Sequence, residues 1–410
     1  MKSATSRFGW YLALLQLLFT LCWTVYAIYL PKLAAAAGIP ASAVILILML
    51  DQLVFTVCDF ATGVAADKVT RVLGRLGVWV TAATAISCVA FLALPFVAAA
   101  GAPVLLAVTL VWTVTSSALR APPLMLLGKY AAKPALPYLA SLAMLGYGIA
   151  GALAPYLAVT LREVDPRVPF ALASIVLMLT TLGMITAERR LAAAPQPLAK
   201  LLETTPAAPA FGSLTRKALV FGVAMVVLAL GFQIHFSIWS APLFLRYAKP
   251  ADLEWLMPVF WIGFNVAMLP ASLIAKRRGG LAVMGGAGLF GALAILATDF
   301  APNLNGMMIA QGAAGAAWGA ILMSAFTVAF TVGANGAEGR MAGLLFSALA
   351  LATLGRMATV AFGLHAEATA AMLLFVPPVA WSIAGAIMLS VAARSLSGRN
   401  RDGSSQAAAT

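Results

Sequence analysis

Four ionisable side chains, Asp51, Asp59, Arg120 and Arg356, stand inside long apolar runs. At ~2.5–3.5 kcal/mol each on membrane-insertion scales, their exposure to hydrocarbon would cost on the order of 10 kcal/mol together, so they must be paired or hydrated. The two carboxyls are able to carry protons, and the two guanidiniums are planar forks of donors that fit a carboxylate or similar oxyanion. Arg120 ends a stripe of Thr109, Thr113, Ser116 and Arg120, whose helical spacing puts all four on one face that cannot look at lipid. Pro122 and Pro123 follow at once and leave the carbonyls of Ala118 and Leu119 without helical donors, so a bend or local hydration is expected beside Arg120. Two roles stay open for Arg120: contact with a ligand in an aqueous cavity, or a structural pair with Asp59.

Further polar groups recur at helical spacing. The first apolar run carries Gln16, Thr20, Trp23 and Tyr26, the seventh carries Gln233, Ser237 and Ser240 on one stripe and His235 with Trp239 on another, and the tenth carries Gln311. Arg120 and Arg356 are candidate anion contacts and Asp51 and Asp59 candidate proton carriers; His235, Tyr26, Gln16, Thr113, Ser116, Trp239 and Gln311 join the candidate substrate contacts as what a family resemblance, carried by the loop after the second run, implies. Counted along the helices at ~1.5 Å per residue, Asp59 and Arg120 lie ~12–14 Å from one membrane face, and Asp51 and Arg356 ~24 Å from it. Each acid thus has a base at its own level; that Asp51 would meet Arg356 when the far side is closed is what the same family resemblance implies, since spans 2 and 11 adjoin in that fold. Catalysis has no comparable support. His235 and His365 form no HExxH cluster, no GxxxxGK[ST] loop for ATP exists, and Cys22, Cys58 and Cys88 fall in no ligand spacing. No cofactor, structural metal or disulfide is expected.

These side chains need elements to hold them. Of the 410 residues, 63% are hydrophobic and 10% charged, a balance no soluble domain keeps in water. Runs of the length that spans ~30 Å of hydrocarbon recur near 8–30, 41–66, 76–100, 103–128, 135–160 and 168–187, and again near 218–245, 255–275, 281–298, 303–331, 341–364 and 369–393. An all-α membrane protein of twelve spans is predicted, with six-helix bundles over 1–187 and 218–393, a polar, Pro-bearing linker over 188–217, and a disordered tail over 394–410. The first run is too long for a signal-peptide core and reads as an uncleaved span. Lys and Arg crowd the loops of one side, among them Arg7, Lys68, Arg71, Lys129, Lys276 and Arg340, which puts both chain ends in the cytoplasm. The net charge of +13 is thereby topological; no polar basic domain exists to bind nucleic acid.

Between spans 2 and 3 stands Gly63-Val-Ala-Ala-Asp67-Lys68-Val-Thr-Arg71, which resembles the signature loop of the major facilitator superfamily. Thr70 stands where that family usually has Gly, and Val72 where it often has a base. The equivalent loop of the second half, Lys276-Arg277-Arg278-Gly279-Gly280, keeps only the basic character. The resemblance implies two six-helix bundles, alternating access, a central cavity lined by spans 1, 4, 7 and 10, and gating by Gly63, Asp67, Lys68, Arg71 and Arg340. In that family the signature Asp docks against the start of span 11, where a helix N-terminus favours a carboxylate. Span 11 opens here near Met341, after Glu338 and Arg340. The expected function is a secondary transporter of a small organic anion, proton-coupled, monomeric and embedded in the plasma membrane, a bacterial inner membrane by expectation. The alternative is a proton-coupled exporter of lipophilic compounds; Gly146, Tyr147, Gly148, Gly151 and Pro155 in span 5 loosely echo the drug-exporter antiporter motif but lack its Gly-Pro dipeptide.

Overall fold

A computed structural model describes residues 4–72, 75–193, 215–334 and 336–407, with no strand among them. Lipid leaves no solvent for backbone N–H and C=O groups, so each apolar run closes its own hydrogen bonds as a helix. Among the described residues twelve helices are long and apolar enough to cross a membrane: α1 (Ala4–Ala36), α2 (Ala41–Thr70), α3 (Leu76–Ala100), α4 (Ala102–Tyr130), α5 (Lys133–Thr160), α6 (Arg167–Ala193), α7 (Arg216–Phe244), α8 (Pro250–Arg278), α9 (Gly280–Asp299), α10 (Leu304–Val332), α11 (Glu338–Ala361) and α12 (Thr369–Arg394). The chain is a multi-pass membrane protein, and the even number of spans brings both chain ends to one face.

The helices form two six-helix bundles. In the first, α1 packs on α5 and α6, and α3 on α4 and α6; in the second, α10 packs on α8 and α9, and α12 on α7 and α9. The bundles meet through α2 against α11 and α5 against α8, a reciprocal pair that exchanges when the halves are swapped. Small residues permit these contacts, because close packing rather than hydrophobic burial joins helices in lipid. A Cβ at Gly315 would strike the carbonyl oxygen of Phe260, and one at Gly319 that of Phe264, so the glycines of α10 are packing positions. Gly148 and Gly151 of α5 likewise make room for Asn265 and Trp261 of α8, and Gly146 for the backbone of α1. That accounts for the glycine run of span 5 through packing alone.

Two helices are broken where the site lies. α4 tightens to a 3-10 turn over Ser117–Leu119 ahead of Pro122 and Pro123, the bend expected there, and Arg120 projects from it. α7 widens to a π-turn over His235–Trp239, a feature with no sequence signal.

At the edges the structure departs from expectation. α6 runs on to Ala193, so Glu188 belongs to a helix and not to a linker: it is buried and accepts from the N–H groups of Leu76 (3.0 Å) and Gly77 (2.6 Å), capping α3. Good helix formers in Ala187–Ala193 carry the helix past the loss of hydrophobicity. The expected linker falls largely on 194–214, outside the described residues. The helix that contains α12 continues to Ala407, through the polar segment expected to be disordered, because adding turns to an existing helix avoids the nucleation cost.

Candidate functional site

Between the bundles lies a cavity of ≈ 310 Å³ whose walls come from α1, α2, α4, α5, α7, α8, α10 and α11. Arg120 and Arg356 both line it, as does Gln16. Their situations differ. Arg120 Nη1 lies 2.8 Å from Asp59 Oδ2, with the Asp59 side chain fully buried, and its guanidinium stacks between Phe55 of α2 (4.5 Å) and Phe346 of α11 (5.0 Å). Arg120 is thus a neutralised pair that touches both bundles at the cavity floor. Arg356 has no acidic partner among the described residues, and its Nε is buried without a hydrogen bond. Two more donors that face the cavity are likewise unmatched, Gln16 Nε2 and Trp318 Nε1. Every unmatched buried polar atom of the cavity-lining side chains is therefore an N–H donor.

The other expected contacts stand behind the wall. Tyr26 Oη and Thr113 Oγ1 each donate to Asp51, at 2.8 Å, one to each carboxylate oxygen. All three are buried within the first bundle. Ser116 donates back to the Thr113 carbonyl at 2.9 Å. His235 Nε2 and Gln311 Oε1 are 3.1 Å apart, and Gln311 Nε2 donates to Ser240 Oγ at 3.0 Å, which makes a closed network inside the second bundle. Trp239 packs against the separate apolar cluster of Leu243, Phe244, Leu256, Ala301 and Met307. None of Tyr26, Thr113, Ser116, His235, Trp239 and Gln311 is among the residues that line the cavity in this structure. Helical spacing groups residues on a face without saying which neighbour that face meets. Tyr26 and His235 each serve a polar network buried in their own bundle. Asp51 and Arg356 are apart here, and each Asp51 oxygen already accepts a hydrogen bond from its own bundle.

Residues passed over in the sequence also reach the cavity. Phe346, Leu349 and Thr353 share one stripe of α11 with the already named Arg356, which the 3.6-residue period contains, and Gln52 enters from α2. Gln233 Nε2 donates to Thr353 Oγ1 at 3.0 Å and Ser237 Oγ to Gln233 Oε1 at 3.3 Å, a polar chain one turn from Arg356.

Beneath the floor the bundles are sealed at the face that carries the chain ends. Asp67 accepts from the N–H groups of Gly339 (2.7 Å) and Arg340 (2.8 Å), the first turn of α11, as the resemblance implied. The approach depends on glycine: a Cβ at Gly63 would strike the Gly339 carbonyl oxygen, and one at Gly343 would come within 2.5 Å of the Asp59 carbonyl oxygen. Arg340 joins through its backbone N–H, and Lys68, next to Asp67 near the end of α2, is exposed. The Arg71 side chain lies outside the described residues.

No family model matches the sequence, and no curated protein sequence does. Solved structures match nearly end to end. The human organic anion transporter MFSD10 (TETRAN) aligns at a TM-score of 0.73 and 14% identity over 93% of this chain and 99% of that one. A bacterial homologue of the iron transporter ferroportin, in an outward-facing state, gives 0.71 and 14% over 93% and 98%. The E. coli fucose:proton symporter FucP gives 0.67 and 11% over 95% and 99%. A fourth match, XylE, is described as a major facilitator superfamily proton:xylose symporter, at 0.63 and 12% over 94% and 96%. At these identities the likeness establishes the fold, and the fold is that of the major facilitator superfamily.

Proposed function

We propose that this chain of major facilitator fold is a secondary active transporter that carries a small organic anion across the membrane by alternating access. The observation that supports it best is the set of unmatched N–H donors around one cavity, Arg356 Nε, Gln16 Nε2 and Trp318 Nε1, since a buried donor without an acceptor costs ~1–3 kcal/mol that an oxyanion relieves. Arg356 supplies the charge, and a bound anion removes the penalty of a desolvated guanidinium. An exporter of cationic compounds has less support, because Asp59 is engaged by Arg120 and Asp51 by Tyr26 and Thr113, which leaves no free carboxylate in the cavity. The organic anion transporter and the proton symporters among the structural neighbours agree with this reading.

Proton coupling belongs to Asp59 or Asp51. Protonation of Asp59 would loosen its pair with Arg120, and protonation of Asp51 would weaken the bonds it accepts from Tyr26 and Thr113. The working unit is proposed to be the monomer, supported by a cavity walled by one chain, and the sealed face to be cytoplasmic, supported by the basic loops, as in a bacterial inner membrane. Uptake of organic acids into proteoliposomes, with and without an imposed pH gradient, tests the proposal. Arg356→Lys should abolish most of the flux, because the bidentate fork is lost, whereas unchanged flux and affinity in that variant would refute the role of Arg356.

A further inference from the structure

We infer that the substrate is a flat aromatic monoanion, an inference that rests on the anion-carrier reading and narrows it. Charge fixes the first half. The lining contains two guanidiniums and no Asp, Glu or Lys; Arg120 is neutralised by Asp59 at 2.8 Å, so Arg356 is left as a single uncompensated positive charge. One carboxylate or sulfonate balances it. A second negative charge on the ligand would be buried among rings and amides with nothing to pair, and a neutral ligand would leave Arg356 unpaired.

Shape and surface fix the second half. Aliphatic lining is confined to Ala229, Leu349 and Met357, and most of the apolar wall is aromatic. The rings are already held by other rings. Phe232 stacks on Trp318 at 4.5 Å and 8°, Trp23 on Trp112 at 5.7 Å and 16°, and Tyr147 stands edge-on to Trp261 at 5.4 Å and 81°. Walls fixed in this way are in place before the ligand arrives, so a planar ring gains aromatic contact without ordering them, while a puckered ring of equal carbon count cannot make the same face contact. The polar chain of Gln233, Ser237 and Thr353 and the unmatched donors account for the remaining lining, and they suit acceptor oxygens on the ring or its acid.

The test is calorimetric titration of the full-length chain in nanodiscs with ligands on one scaffold: naphthalene carboxylate, its saturated decalin counterpart, naphthalene carboxamide and a naphthalene dicarboxylate, with tetraphenylphosphonium as a lipophilic cation. The aromatic monocarboxylate should bind about 3- to 10-fold tighter than the decalin acid, the gain of one or two ring contacts, and at least about 10-fold tighter than the amide or the dianion. Arg356→Gln protein, checked for an unchanged melting temperature, should bind acid and amide alike. Equal or tighter binding of the decalin acid or of the dicarboxylate overturns the inference and leaves the anion carrier standing. Binding of tetraphenylphosphonium with no carboxylate bound overturns both, and so does the absence of any binding up to millimolar concentration.

Discussion

Replacing Asp67 by asparagine should open the face of the protein that carries the chain ends. In the sealed form the carboxylate accepts from two backbone donors, Gly339 N–H at 2.7 Å and Arg340 N–H at 2.8 Å, and faces the N-terminal end of the α11 dipole. Hydrogen bonds to a charged group contribute ~1.5–3 kcal/mol each, about twice a neutral one. Asparagine keeps one carbonyl oxygen, so one bond survives without its charge and the other is replaced by an amide NH2 pointed at a donor. The loss sums to about 2–4 kcal/mol once the weaker dipole term of ~0.3–1 kcal/mol is included. Asp67 and the α11 terminus belong to different bundles, so this energy exists only while that face is shut. The ratio of sealed to open protein should therefore fall roughly 30- to 1000-fold, enough to turn a dominant state into a minor one. Spin-label distances between the two bundles, measured across each face in a background with Cys22, Cys58 and Cys88 replaced, report the two populations directly. Distance distributions in Asp67→Asn that match the parent on both faces would refute the idea that the docked carboxylate stabilises the sealed form.

Other consequences concern the two buried networks. Asp59→Ala leaves the Arg120 guanidinium unpaired at the cavity floor and should destabilise the protein by ~3–5 kcal/mol, whereas the double variant Asp59→Leu with Arg120→Leu should recover most of that loss; thermal unfolding in detergent compares the three. Gln311→Leu removes the partner of both His235 and Ser240 and should lower stability by ~1–3 kcal/mol with little effect on substrate affinity, because the network lies outside the cavity; melting temperature and calorimetric titration separate the two readouts.

The twelve spans, the bend ahead of Pro122 and the docking of Asp67 at α11 were all legible in the chain itself. Their causes are local or nearly so: hydrocarbon forces each backbone to close its own hydrogen bonds, proline removes two donors in sequence, and a short loop with a carboxylate seeks a helix N-terminus. Depth was legible for the same reason, which is why Asp59 and Arg120, matched in level, do meet. Direction around the helix axis was not. Asp51 and Arg356 are also matched in level, yet Asp51 turns to Tyr26 and Thr113 in its own bundle while Arg356 faces the cavity alone. His235 and Gln311, on faces that looked equally suited to a ligand, turn to each other. A 3.6-residue period states which side chains share a face, and nothing more. The neighbour of that face is chosen by long-range packing, in which glycines such as Gly63 and Gly343 set where α2 and α11 touch, and so which polar groups are satisfied by protein and which are left for a substrate.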